Sequence, residues 1–132
     1  MTRVLYIEDD FNNRVLVKRV LMAEGFEVEE ADNAFDGIQM ARNNPPDIIL
    51  MDISMPEMDG VTATQQIRSL PGIADLPIVA VTANAMDTHR AAWEALGVAD
   101  FLTKPIDPTR LINSLARACL PAADTARTTE AA

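Results

Sequence analysis

With one cysteine, Cys119, among its 132 residues, the chain has no internal disulfide to form, so its fold must rest on a hydrophobic core. Positive charge is scarce as well. Eleven Lys and Arg stand against twenty Asp and Glu, and the formal net charge of -9 repels phosphate backbones and anionic lipid. Direct nucleic-acid and membrane binding are therefore disfavoured, and a protein partner or a cation is favoured. Long apolar runs are missing: none approaches the ~20 residues that a membrane helix needs. The opening VLYI is cut short by Glu8-Asp9-Asp10, which leaves no secretory core segment and makes the cytoplasm the expected compartment. None of the five glycines lies in the first strand-to-helix turn, so no phosphate-cradling glycine loop stands there and nucleotide binding is disfavoured.

What the chain does have is the balance of an ordinary globular protein, 48% apolar and 23% charged, and length for one domain with a full core. That domain is placed at residues 1–120. The closing PAADTARTTEAA, residues 121–132, carries no large apolar side chain and reads as a flexible tail. The starting Met and this short tail favour a complete protein over an excised segment. Strand-like runs occur at Val4 to Ile7, Glu27 to Ala31, Asp47 to Met51, Ile78 to Val81 and Ala99 to Leu102. Helical segments alternate with them. In the first, Leu16, Val17, Val20 and Leu21 repeat at helical spacing with Arg14 and Lys18 on the other side, and Gly25 supplies a left-handed stop. The second covers about Ala34 to Arg42 and ends before Pro45-Pro46; the third covers about Val61 to Leu70, the fourth about Asp87 to Leu96. The fifth opens at Asp107 as N-cap with Pro108 in the first turn. Strands alternating with helices imply an α/β, doubly wound, five-stranded parallel sheet covered on both faces, with the alternating EVEE run at an edge.

In such sheets ligands sit outside the carboxyl ends of the strands. Glu8 and Asp9 follow the first strand, Asp52 the third, Thr82 the fourth, and Lys104 lies just beyond the fifth. Acids gathered on one rim repel one another by ~1 kcal/mol per pair at 4 Å in water and ~4 kcal/mol at an effective dielectric of 20, so something positive must join them. An all-oxygen cluster suits a hard divalent cation, Mg²⁺ above all, for which Mn²⁺ could substitute. A metal, a lysine and a hydroxyl around one carboxylate form a site for a phosphoryl group, and a carboxylate can itself be the nucleophile.

The pieces VLYIEDD, PPDIILMDISMPEMDG, LPIVAVTANAM and ADFLTKPI, in this order and spacing, resemble the receiver domains of two-component response regulators over about residues 3 to 120. The phrases EDDFNNR and VTANAM further resemble phosphorelay receivers, including stand-alone ones and those attached to hybrid kinases. The resemblance implies a flavodoxin-like (βα)5 fold with strand order 2-1-3-4-5. It implies Asp52 as phosphoacceptor, Glu8 and Asp9 as the acidic pair holding Mg²⁺, and the backbone carbonyl of Ser54 as a further ligand. Thr82 and Lys104 match the residues that contact phosphoryl oxygens, Lys104-Pro105 a peptide bond usually found cis, and Phe101 the aromatic that turns inward when the threonine moves. The implied partners are a histidine kinase or histidine phosphotransfer protein and a downstream protein effector, met by the face of the fourth helix, fifth strand and fifth helix. Two positions depart from the common pattern. Glu8 stands where aspartate is commoner, so its longer arm is expected to reach the metal through water, and Phe101 stands where tyrosine is common.

Other polar residues have plainer readings. Asp10 is expected to start the first helix, Asp59 to shape the start of the third, His89 to be solvated, and Trp93 to pack on the sheet; Met51 is read as core, Met55 and Met58 as loop. Two rival functions remain. One is a constitutive binding module of the same fold that never gains phosphate. The other, a free-standing aspartate-nucleophile phosphatase, needs a second acid two residues after its nucleophile, where Asp9 is followed by Phe11.

Overall fold

The computed structural model describes residues 2–53, 60–83 and 90–119, and within them each apolar run is a strand and each amphipathic segment a helix. In chain order these are β1 (Arg3–Ile7), α1 (Phe11–Ala23), β2 (Glu27–Ala31), α2 (Ala34–Asn43), β3 (Ile48–Asp52), α3 (Gly60–Arg68), β4 (Ile78–Thr82), α4 (Arg90–Ala95), β5 (Asp100–Thr103) and α5 (Pro108–Ala118). All neighbouring strands pair in parallel, in the order β2-β1-β3-β4-β5, as the resemblance implies, and the alternating EVEE strand is indeed an edge. Ser54, Met55, Met58, Asp59, His89, the side chain of Trp93 and the tail lie outside the described residues.

Because side chains alternate across a strand, each strand feeds two cores. Leu5, Ile7, Ile49, Met51 and Ile78 face Ile38, Ala41, Ala63 and Ile67 from α2 and α3. Val4, Tyr6, Ile48, Leu50, Val79 and Val81 face Val17 and Leu21 from α1 and Leu111 and Leu115 from α5. β3 and β4 are buried along their whole length. These central strands fix the positions of everything at their carboxyl ends.

Local chemistry sets the helix ends. Asp10 caps α1 by accepting from the backbone N–H groups of Asn12 and Asn13, and Asp107 caps α5 by accepting from Thr109, with Pro108 in the first turn. At the far end of α1, Gly25 has φ 90° and donates to the Met22 carbonyl while Phe26 donates to that of Leu21, a pair of bonds that needs a left-handed residue. A larger clasp holds the other half of the molecule. Arg68, the last residue of α3, donates to the carbonyls of Ala74, Leu76, Leu96 and Gly97 at 2.7–3.2 Å, joining the segment before β4 to the end of α4.

Three expectations need correction. Leu16 is 53% exposed: the buried stripe of α1 is Val17 and Leu21, four residues apart, with Val20 partly buried, and Leu16 is rotated a full 100° step away from Val17. Arg14 and Lys18, expected to face away from the sheet, turn instead toward Glu30 on the acidic edge strand, each at 3.7 Å. Strand ends also shift by one residue. Asp52 and Thr82 are the last residues of β3 and β4 rather than the first after them, because pairing runs on through Asp52 with Val81 and Thr82 with Thr103.

Gly37 marks the tightest contact between helix and sheet. A Cβ there would come within 2.4 Å of Ile7 Cδ1 and 2.7 Å of Cγ1, and Ile7 is fully buried. Alanine improves helix propensity by ~1 kcal/mol, whereas overpacking costs about 1–3 kcal/mol. Gly37→Ala should lower the unfolding free energy by about 1 kcal/mol in urea titration, and Ile7→Val in the same chain should recover part of the loss.

Candidate functional site

β1 ends at Ile7, and the chain turns into α1 through Glu8, Asp9 and Asp10. Asp10 is taken up by its capping bonds, at 2.8 Å to the Asn12 N–H and 3.2 Å to the Asn13 N–H, as its plain reading had it. Arg14 then fastens the turn by donating to the Glu8 carbonyl at 2.7 Å. Since β1 and β3 pair with Ile7 opposite Met51, the next residues, Glu8 and Asp52, stand side by side. Both are buried, at 0% and 1% exposure, while Asp9 lies exposed at the rim. Each of the three offers an oxygen within 4.8 Å of the others.

Lys104 answers their charge from the far side of the sheet. Its backbone N–H donates to the Thr82 carbonyl at 2.8 Å, and its peptide bond to Pro105 is cis. Its ammonium lies 2.9 Å from Glu8 Oε1 and 3.2 Å from Asp52 Oδ2. Burial alone would lower the lysine pKa, but hydrogen bonds and charge from Glu8 and Asp52 outweigh it and hold the ammonium above its ordinary 10.5. Glu8 goes the other way from the usual carboxylate. Burial raises its pKa, the neighbouring Asp52 raises it further, and Lys104 offsets only part of this. Asp9 is raised too, by desolvation and then by Glu8.

Three carboxylates facing one ammonium leave a net negative charge, and the donor set contains oxygen alone. That is the chemistry of a hard divalent cation, with Mg²⁺ retaining several waters. The residues present fit such an ion. Thr82, 6% exposed, closes β4 beside this cluster, and Phe101 is half-buried on β5 opposite Ala80. Ser54, the implied carbonyl ligand, lies outside the described residues.

Sequence reasoning missed two residues of the site. Tyr6 donates its hydroxyl to Glu8 Oε1 at 3.1 Å, and Asn13 donates its side-chain amide to the same oxygen at 3.2 Å. The signal for Tyr6 was a polar tip in an otherwise aliphatic strand, since a buried phenol needs a partner.

The pKa directions have a measurable result. A carboxyl raised above its unfolded value of 4.5 contributes stability that is fully present below that value and lost as pH rises through the folded one. In the absence of divalent cations, wild type should therefore gain stability relative to Glu8→Gln as pH falls from neutral toward 4.5. Paired denaturation curves across that window check it, and added Mg²⁺, which competes with the proton, should reverse the trend.

Comparison with known proteins agrees with this geometry. The response regulator receiver domain family matches residues 4–116. Protein PilH of Pseudomonas aeruginosa is 32% identical over 115 residues, covering 87% of this chain and 95% of PilH. The signal transduction histidine-protein kinase BarA of Escherichia coli is 38% identical over 114 residues, which are 86% of this chain and 12% of the kinase. Among solved structures, the receiver domain of the sensor histidine kinase PA1611 from Pseudomonas aeruginosa, with a magnesium ion coordinated in its active site cleft, matches with a TM-score of 0.82 at 30% identity, over 89% of this chain and 97% of that one. With the sheet order, the carboxylate cluster and the lysine all in place, the chain belongs to the response regulator receiver domain family.

Proposed function

We propose that Asp52 accepts a phosphoryl group from a phosphohistidine on a histidine kinase or phosphotransfer protein and that the resulting charge switches a protein-binding face. The observation that carries this reading is the ammonium of Lys104 set between Glu8 and Asp52, with Asp9 completing the oxygen cluster. A carboxylate oxygen of Asp52 attacks phosphorus; the O–P bond forms as the P–N bond breaks, and the imidazole nitrogen keeps the electron pair and takes a proton. Mg²⁺ held by Glu8, Asp9, Asp52 and the Ser54 carbonyl would neutralise phosphoryl oxygens, the chief electrostatic demand of this reaction. Lys104 is close enough to pass from the carboxylate to the new phosphoryl group. Thr82, at the neighbouring strand end, is assigned the hydroxyl contact, and Phe101 the inward turn that reshapes the α4-β5-α5 face. Such a two-state element biased by added charge is the usual form of phosphorylation switch.

The donor's landing place is supported by α1. Phe11, Leu16 and Met22 are 66%, 53% and 57% exposed, and Phe11 begins two residues after Asp9. Phe11, Val15 and Met22 share one flank of the helix and Leu16 lies on another, and exposed apolar side chains on a helix beside an acceptor carboxylate suit a helical protein donor better than a small metabolite. No described helix is long and apolar enough to cross a membrane.

Incubation with a small phosphodonor and Mg²⁺ should give a hydroxylamine-labile label that Asp52→Asn and chelation both abolish. Retained label in Asp52→Asn refutes the assignment, and a wild type that never labels favours the constitutive binding module. For α1, Leu16→Glu should slow transfer from a phosphorylated histidine-kinase domain about tenfold relative to transfer from the small donor, the weight of one interface anchor.

A further inference from the structure

Glu8 differs from the commoner aspartate by one methylene, which adds a rotatable bond to a ligand that must be ordered before it can serve a cation. The surrounding residues remove that freedom. Tyr6 lies two residues earlier on β1, so its side chain leaves the sheet on the same face as that of Glu8. Its ring is fully buried, and its hydroxyl donates to Glu8 Oε1 at 3.1 Å. From α1, Asn13 Nδ2 donates to that oxygen at 3.2 Å, and the Lys104 ammonium reaches it at 2.9 Å. A carboxylate oxygen has about two lone-pair sites, so three donors saturate Oε1. Oε2 is in a different position: the Asp10 backbone N–H donates to it at 3.5 Å, at the long limit of a hydrogen bond, and the other neighbours of the Glu8 carboxylate are the acids Asp52 and Asp9, which share the cation site.

We infer that Tyr6 and Asn13 are positioning residues for the cation: by occupying Oε1 they fix the glutamate so that Oε2 is the oxygen presented to the metal or to one of its waters. This rests on reading the cluster as a Mg²⁺ site. On this account a glutamate serves here because the strand and the first turn of α1 supply two neutral donors that a shorter aspartate would not reach.

Calorimetric titration of the full chain with Mg²⁺ alone tests the inference. Tyr6→Phe keeps the ring and its packing and removes only the hydroxyl. The Kd for Mg²⁺ should rise about fivefold in Tyr6→Phe and in Asn13→Ala, the weight of one hydrogen bond. With Glu8→Asp in both members of the pair, the shorter arm no longer meets the phenol, and Tyr6→Phe should then change the Kd by less than about twofold. An equal loss in both backgrounds would show a packing role and overturn the inference, as would an unchanged Kd in the glutamate background. The isotherm needs no phosphodonor, so the two readings fail separately. A chain that binds Mg²⁺ with the expected coupling but never labels on Asp52 sinks the proposed function alone. One that binds no Mg²⁺ sinks both.

Discussion

The rim of this sheet is held together by the ammonium of Lys104, set between two carboxylates that water does not reach. Glu8 comes from the end of β1, Asp52 from the end of β3, and Lys104 from beyond β5, while its backbone N–H ties down the end of β4. One residue thus links the carboxyl ends of four neighbouring strands. Side by side in a setting of effective dielectric 20, the two acids would repel by ~4 kcal/mol at 4 Å. The lysine offsets that repulsion without cancelling it. Burial first, and the neighbouring carboxylates after it, raise the pKa of Glu8 and of Asp9, and the charge left over keeps the cluster receptive to a cation.

The same economy of charge shapes the edge of the sheet. β2 carries Glu27, Glu29 and Glu30, which as an edge strand would otherwise present a continuous acidic ribbon. Arg3 pairs with Glu29, and Arg14 and Lys18 lie within reach of Glu30. Isolated surface pairs of this kind contribute at most about 1 kcal/mol each. The burial of Val17 and Leu21 sets how α1 rolls on the sheet, and the bases follow that roll. Its outcome is that Arg14 and Lys18 reach Glu30 on β2 while Leu16 stays exposed to solvent.

Much of this was legible in the residues. Uninterrupted runs such as IILM and IVAV fit central strands, and the caps at Asp10 and Asp107 and the left-handed Gly25 were written in local chemistry. The gathering of Glu8, Asp9, Asp52 and Lys104 followed from parallel topology, because strand ends on one rim are neighbours whatever their distance in sequence. What failed did so for identifiable reasons. Apolar periodicity alone could not say whether Leu16 or Val17 led the buried stripe, since the choice depends on how the helix rolls on a sheet not yet built. Pairing carried the strands one residue past the apolar run, through Asp52 and Thr82, because ladder hydrogen bonds are indifferent to side-chain polarity. Tyr6 passed as plain core because nothing in a linear reading shows where the phenol tip of a buried ring ends up.

Arg68 gives α4 an anchorage at one end. Its guanidinium fastens the carbonyls of Leu96 and Gly97 to the segment that leads into β4, so the carboxyl terminus of that short helix is pinned to the body of the molecule. A helix fixed at one end and pushed at the other behaves as a lever rather than a slide. Were the proposed switch to displace the near end of α4, the helix would tilt about Gly97, and tilt alters the slope of a surface more than its location.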